Sequence, residues 1–376
     1  MEEPDGLRRR SYRGTMSTVL FTGFPGFLGV QLLPKVLSRL PDSTVTCLIQ
    51  SSFADLAARK LEELVEANPD MAGRIHLATG DITVPGLGLD DAAALASDLT
   101  EVWHLAAVYD LSVPRDVAMS VNVEGTRNVL NFAERADCLQ RFHYVSTCYV
   151  SGRYAGAFGE EDLDVGQRFN NYYEETKFLA EVEVQTRRDR GMPTTIYRPS
   201  VVVGDSTTGQ TQKYDGPYYA LQLLVRQGRW AVMPIIGDPA LHRFNIVPRD
   251  FVIDAIAALS ATERSSGRVY HVADPRPLTV AELYATMADA VGCRMVPVPL
   301  PAGLARFAID HVPGVHSLLR IPSSTIAYLD HPTYYLTTNQ ADLDATGVAC
   351  PPVESYMPTL VDFMRRHPDI SAAAMQ

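Results

Sequence analysis

The chain has 376 residues, 46% of them hydrophobic and 20% charged, and a formal charge of −11. Such a chain fills one large domain with an appended lobe, or two domains, in the ordinary composition range of soluble globular proteins. The acidic excess argues against a nucleic-acid partner, which calls for a basic face, yet it leaves room for a phosphate-rich cofactor in a locally positive pocket.

Residues 1–16, MEEPDGLRRRSYRGTM, have no apolar core of a secretory signal and read as a flexible leader outside the fold. STVLFTGFPGFLGVQLLPKVLSRL, 17–40, is an apolar run, a glycine turn and a stretch of helical period. STVTCLIQ, 43–50, is a second strand, and a helix follows over 53–67. RIHLATGD, 74–81, is a third strand; a helix through DDAAALASDL leads into a fourth, EVWHLAAV, ending near Ala106. SVNVEGTRNVLNFAERA is a helix and RFHYVSTCYV, 141–150, the fifth strand. NNYYEETKFLAEVEVQTRRDRG is a long helix closed by Gly191, and PTTIYRPSVVVG is the sixth strand. This alternation of strand and helix predicts an α/β fold, a doubly wound parallel sheet of Rossmann type.

Past residue 200 the regularity loosens: GDSTTGQTQKYDGPYY, 204–219, reads as a loop. FNIVPRDFVIDAIAALS returns to strand and helix, GRVYHVAD (267–274) is a strand, and TVAELYATMADAVG is a helix before the extended RMVPVPLP. The expected division is a dinucleotide-binding domain over 17–200, with 243–275 returning to it, and a smaller substrate-binding lobe from 201–242 and 276–376. Cys47, Cys138, Cys148, Cys293 and Cys350 are scattered without a CxxC pair, which reads as reduced thiols, not a disulfide framework or a metal site. No run of about eighteen apolar residues predicts a membrane span. A cytoplasmic location is the expectation.

In TGFPGFLG, glycines 23, 26 and 29 follow the first strand and open the first helix. Such a turn brings backbone N–H groups and a helix N-terminus to a diphosphate. At the end of the second strand, where an acid often binds the ribose diol of NAD, stand Gln50, Ser51 and Ser52, with Arg59 and Lys60 a little further on. No carboxylate there would repel a 2′-phosphate, so NADP(H) is favoured and NAD(H) stays open. Gly80 and Asp81 end the third strand, close to where adenine would lie.

Ligands of such sheets sit at the carboxyl ends of the strands. Ala106 and Ala107 end the fourth strand there, and Ser146 and Thr147 the fifth; Tyr173 and Lys177 stand one turn apart on the next helix. A phenol, an ammonium and a hydroxyl thus converge where the nicotinamide belongs.

These motifs resemble the extended short-chain dehydrogenase/reductases. The resemblance runs over about residues 17–260 through TGFPGFLG, GD (80–81), HLAA (104–107), NVEGT (122–126), YVST (144–147), YYEETK (172–177) and YRPS (197–200). It implies that Tyr173 donates and accepts the proton, and that Lys177 holds the nicotinamide ribose and lowers the tyrosine pKa. Thr147 would hold the substrate oxygen. Asn122 would serve as a structural or proton-relay residue. Cofactor contacts are expected from Thr22, Gly23, Phe24, Gly26, Phe27, Leu28 and Gly29, from Gln50, Ser51 and Arg59, and from Gly80, Asp81 and Ile82. They are also expected from Leu105, Ala106, Ala107 and Asn122, from Tyr173 and Lys177, and from Pro199, Ser200 and Val201. His104 reads as a core histidine and Cys148 as a small buried hydrophobe.

YRPSVVVGDSTTGQTQ, followed by FNIVPRDFVIDAI, resembles the branch of fatty acyl-CoA reductases and the terminal reductase domains of carboxylic acid reductases and peptide synthetases. The resemblance implies hydride transfer to an acyl thioester, giving an aldehyde or an alcohol. No carrier or adenylation domain is attached, so the thioester is expected on CoA or on a separate carrier protein. Cys148, Tyr149, Asp205 and Tyr218 join Thr147 as candidate substrate contacts, and GLARFAIDHVPGVHSLLRI (303–321) reads as a core helix or, less readily, an acyl channel or membrane-facing segment. The branch often carries arginine where this chain has Gln50. An alcohol or hydroxysteroid dehydrogenase, a sugar-nucleotide epimerase and a non-catalytic cofactor-sensing module are the alternatives, and a homodimer is left open.

Overall fold

A computed structural model describes residues 17–109, 113–301, 303 and 332–371. The leader and residues 304–321 of the apolar stretch lie outside the described residues. Seven strands form the main sheet: β1 (Thr18–Thr22), β2 (Thr44–Ile49), β3 (Ile75–Thr79), β4 (Leu99–His104), β5 (Arg141–Val145), β7 (Thr194–Pro199) and β11 (Val269–Val272). Their order is β11-β7-β5-β4-β1-β2-β3, parallel throughout. The doubly wound fold is the one expected, and the order reverses between β1 and β4, where such sheets open a crevice for ligands.

Both faces are covered, so the strands are apolar along their whole length: Val19, Leu20, Phe21, Val102, Trp103, Phe142 and Ile196 are fully buried. On one face lie α1 (Gly29–Arg39), α2 (Ala54–Ala67) and α8 (Arg249–Ser260), with Leu32, Leu33, Leu64 and Ile256 in one apolar cluster. On the other lie α3 (Ala92–Asp98), the short α4 (Arg115–Ala118), α5 (Gly125–Ala133) and α6 (Tyr172–Asp189), with Val129, Phe132, Ala180 and Val184 in a second cluster. Helix α6 is punctuated at both ends. The Asn171 side chain accepts from the Glu174 N–H, glutamates fill the first turn and arginines the last, and Gly191 turns the chain at φ +106°.

A third cluster stands apart from the sheet, built from α7 (Tyr218–Gln227), β9 (Trp230–Ile235), α9 (Val280–Val291), β12 (Arg294–Pro299) and α11 (Val353–Arg366). Helix α7 and strand β9 are not expected from the sequence, whose pattern reads as a loop up to Tyr219. The glycine- and threonine-rich run before Tyr218 hides the onset of helical period. Two further parallel pairs tie the pieces together: β8 (Val201–Val203) with β10 (Ile246–Pro248), and β6 (Gly156–Phe158) with β13 (Thr333–Tyr335). In α10 (Gln340–Asp344), Asp342 accepts from Arg268 and Tyr270 beside the main sheet.

Candidate active site

The glycine turn is closed on itself. Gly23 has φ +93°, and a Cβ there would lie 2.8 Å from the Cβ of Leu105. A Cβ on Gly29 would meet the Gly23 carbonyl at 2.4 Å, so only glycine lets α1 start this close to the turn. Gly26 N–H donates to that same carbonyl at 2.8 Å. The result is a shallow cradle of main chain at a helix N-terminus, between the ends of β1 and β4. A helix N-terminus of this kind can hold a diphosphate, and this is where the sequence expects one. Phe24 is buried in the core, Leu28 packs on it, and Phe27 lies under the guanidinium of Arg249, 5.1 Å from ring centre to carbon.

Thr22 anchors the other rim. Its hydroxyl accepts from the N–H groups of Leu105 and Ala106, both at 3.2 Å, and pairs with His104 Nδ1 at 2.8 Å. His104 Nε2 meets Thr126 Oγ1 at 3.0 Å, and Thr126 donates to the Asn122 carbonyl at 2.6 Å. The consistent assignment is a neutral ring, protonated at Nε2 and accepting at Nδ1. Burial, then the charge of Lys177, press its pKa down to about 3. His104 is a satisfied core residue that ties β1, β4 and α5 together.

At the far end of the crevice, Gln50 donates to Asp81 at 3.1 Å, and Asp81 also takes the N–H and hydroxyl of Thr83. A Cβ on Gly80 would strike the Leu87 carbonyl at 2.4 Å. Ser51 and Arg59 are exposed, whereas Lys60 pairs with Glu63 on the surface of α2. Ile82 turns its side chain into the core, against Gly125.

Thr147, Tyr173 and Lys177 are brought together. β5 stops at Val145, earlier than expected, and Thr147 then caps a short turn by accepting the Tyr149 N–H at 3.2 Å. Burial drives the Tyr173 phenol well above its ordinary pKa, and a hydrogen bond with Thr147 pulls it partly back. Lys177 Nζ donates to the Tyr144 hydroxyl and to the Val145 carbonyl, each at 2.9 Å. Both are neutral oxygens, so burial prevails and lowers the Lys177 pKa to about 7, against a smaller upward pull from Glu181. Asn122 sits in a π-helical turn, Met119–Glu124; its amide accepts the Val108 N–H at 2.9 Å and donates to Thr176 at 3.0 Å.

Four more residues support this group: Tyr144 and Arg198, inside YVST and YRPS but given no role of their own in the sequence, and Tyr109 and Glu181, unmarked there. Tyr144 carries the Lys177 ammonium on its hydroxyl and under its ring, 4.4 Å from the centroid. Tyr109 packs edge-on against Tyr173 at 4.9 Å. Glu181 and Arg198 form a fully buried ion pair at 2.6 Å. Burial alone would raise the Glu181 pKa, but Arg198, with the Ser146 hydroxyl and the Gln185 amide, holds it below the usual range. Ser146 donates to Glu181 at 2.5 Å, so it is spent inside the protein while Thr147 faces Tyr173.

Beyond Thr147 a cavity is lined by Cys148, Tyr149, Ser200, Val201, Asn245 and Tyr335, among others. Cys148 is buried, gives its Sγ–H to the Arg198 carbonyl, and has its thiol pushed far up by that burial. Pro199 ends β7, and its carbonyl lies 3.5 Å from the Thr147 hydroxyl. Asp205 and Tyr218, candidate substrate contacts in the sequence, are not among the residues lining this cavity. The Asp205 carboxylate takes the N–H and hydroxyl groups of Thr207 and Thr208, which hold its pKa at about 2 against the upward push of burial. Tyr218 is buried in the third cluster and accepts the Gly204 N–H at 2.9 Å. Both side chains shape the loop after β8. Among the described residues, no cluster suits a metal ion and no helix is long and apolar enough to cross a membrane.

The family model for the NAD-binding "Male sterility protein" matches residues 21–256. The chain belongs to this family. It is 30% identical over 299 residues to a linear gramicidin synthase of Brevibacillus parabrevis, covering 76% of this chain and 6% of that protein. Aldehyde reductase lnbA of Aspergillus flavus is 27% identical over 313 residues, covering 78% of this chain and 30% of that one. The chain therefore spans less than a third of either curated relative. Among solved structures, the terminal R domain from the myxalamid PKS-NRPS biosynthetic pathway superposes with a TM-score of 0.79 at 27% identity, over 96% of this chain and 93% of that one. Family and fold together make the protein a nicotinamide-dependent oxidoreductase of the extended short-chain type.

Proposed function

We propose that this protein reduces acyl thioesters, carried on CoA or on a carrier protein, to aldehydes or alcohols with NADPH. The observation that carries this reading is the pairing of Thr147 with Tyr173 beside an ammonium that, among the described residues, donates only to neutral oxygens. The bound dinucleotide supplies a hydride. The residues of the cradle, from Gly23 to Gly29, hold its diphosphate. Lys177 binds the ribose hydroxyls and, as a cation, lowers the cost of negative charge on Tyr173. Thr147 and Tyr173 hydrogen-bond the thioester oxygen as it gains charge, and Tyr173 gives it a proton. Collapse of the resulting hemithioacetal releases a thiol and leaves an aldehyde. In this reading residues 17–200 with 243–275 serve the cofactor, and 201–242 with 276–376 serve the substrate.

The relatives support the substrate class: one is named an aldehyde reductase and another a linear gramicidin synthase. NADPH is favoured over NADH by the neutral Gln50 and Ser51 and the exposed Arg59 after β2. The test follows NADPH and NADH oxidation with acyl-CoA and acyl-pantetheine thioesters, aldehydes and ketones. Thioester-dependent oxidation with one free thiol released per turnover is expected. Activity on ketones or aldehydes alone would favour an alcohol-dehydrogenase reading.

A further inference from the structure

The small lobe turns one side of a two-stranded sheet to solvent. Strands β9 and β12 pair in parallel, with Trp230 opposite Arg294, Val232 opposite Val296 and Pro234 opposite Val298. Side chains alternate between the two faces of a strand. Ala231, Met233 and Ile235 point inward to the third cluster, where Met295 joins them, and Trp230, Val232, Val296 and Val298 point out, each between 40% and 59% exposed. Neither strand edge is open to a further strand. Arg294 and Leu300 turn their N–H groups toward β9, so the outward main-chain positions of β12 are Met295, Pro297 and Pro299, and proline has no N–H. On the free edge of β9 the Gln227 side chain accepts the Val232 N–H and donates to its carbonyl, both at 2.9 Å, and Pro234 follows. Such devices keep strands from adding, so whatever covers this apolar side meets its face and not its edge.

One end of this strip is cationic. The Arg294 guanidinium lies over the Trp230 ring, 5.4 Å from its centre. Arg229, just before Trp230, gives its carbonyl to the Arg294 N–H, and Arg365 of α11 donates to the Val291 carbonyl at 2.7 Å. All three arginines are exposed, and among the described residues none has a carboxylate partner, whereas Arg115, Arg127 and Arg188 beside the main sheet each have one. Arg226 is exposed at the end of α7, and Asp289 and Asp362 are the acids closest along α9 and α11. This end therefore holds an excess of positive charge on a chain whose total is −11. A second copy stacked face to face would set the cationic end against its like or against the valine end, and suit neither. A membrane surface suits both. The valines and the indole enter the boundary between headgroups and acyl chains, and the guanidiniums stay at the phosphates.

We propose that the outer face of β9 and β12 seats the protein on an anionic lipid surface. The proposal stands apart from the substrate and the reaction, and its test needs no turnover. The chain has two tryptophans and Trp103 is fully buried, so a change in indole emission on binding reports Trp230. Vesicles of phosphatidylcholine with about 30% phosphatidylglycerol should co-sediment with the full chain and shift its emission to the blue, and phosphatidylcholine alone should bind it about 10-fold more weakly. The double variant Arg229→Gln, Arg294→Gln should lose about 10-fold in partition, and so should the wild type in about 0.5 M salt, which screens the arginines. Trp230→Ser and Val296→Asp should each cost about 10-fold; melting temperature and NADPH affinity should match wild type, because both side chains are exposed. No binding to the anionic vesicles, or binding indifferent to W230S and V296D, overturns the proposal. In a chain that ignores the vesicles, a dimer dispersed by W230S would give the face to a second copy, and a complex with an acidic carrier protein abolished by W230S would give it to a protein. Either result overturns the lipid assignment.

Discussion

Two buried cations lie close together and are treated in opposite ways. Arg198 is sealed against Glu181 and further gives N–H groups to the Glu160 and Asp162 carbonyls. Lys177, one turn before Glu181 on α6, is 3% exposed and, among the described residues, reaches only a phenol and a carbonyl. The first region is closed, its charge hydrogen-bonded on every side, and it locks β5, β7 and α6 in register. The second is left incomplete. A buried ammonium without a carboxylate is costly, and it is retained where a ligand completes it. The comparison separates charge used for structure from charge held ready for chemistry.

The largest effect should come from breaking the closed pair. Arg198→Met strands the Glu181 carboxylate and should cost about 3–5 kcal/mol in urea unfolding, most of it recovered in the double variant with Glu181→Leu. A loss below about 1 kcal/mol would mean that the pair does not hold this region together. Tyr173→Phe, in the open region, should do the reverse: turnover falls about 10³-fold, near 4 kcal/mol of barrier, while the melting temperature stays within a degree or two. A Tyr173→Phe enzyme of unchanged rate would remove the phenol from the reaction.

Lys177 gives a comparison with opposite signs. Its folded pKa of about 7 lies well below that of a free ammonium, near 10.4. Between those values the unfolded chain binds the extra proton, so this group makes stability rise with pH from about 7 to about 10. Below 7 its penalty is complete and constant. Lys177→Met should therefore stabilise the cofactor-free protein at pH 6, by about 2–3 kcal/mol, and the gain should vanish near pH 10. Turnover should collapse in the same variant. For the wild type, kcat/KM should fall as pH rises through about 7, because the ammonium is the working form. A flat profile over pH 6–8 would show that Lys177 is held charged by something the present contacts omit.

Much of this architecture is local and so legible in the sequence. The glycine turn, the strand–helix alternation and the Tyr173–Lys177 spacing are each contained in one short stretch. What escaped depends on register between distant strands. Tyr144 supports Lys177 only because β5 lies beside α6, and Arg198 meets Glu181 only because β7 pairs with β5, Tyr144 opposite Ile196. Both lie in quoted motifs, YVST and YRPS, which mark the stretches but not the partners of these side chains. Ser200 was legible as a member of YRPS, but not its want of a partner, which follows from how β8, β10 and β11 share their main-chain hydrogen bonds. Asp205 and Tyr218 have a second, internal role that the sequence does not mark. Polar and aromatic residues in a glycine-rich run read as ligand contacts, and these two also organise the run itself through their hydrogen bonds.

A third cation completes the comparison and carries the smallest effect. Arg59 is exposed on α2, neither sealed by a carboxylate as Arg198 is nor desolvated as Lys177 is. Water screens such a charge, so its attraction for a 2′-phosphate should amount to about 0–1 kcal/mol. Arg59→Ala should raise the Kd for NADPH by no more than about five-fold, leave NADH binding unchanged, and lose its effect in about 0.5 M salt, where the screening length is a few ångströms. Fluorescence titration of both cofactors at two salt concentrations measures this directly. A larger loss, or one that salt does not remove, would mean that the cofactor draws Arg59 out of water. The arginine would then belong with Lys177, as a charge completed by its ligand, and not with the solvated surface.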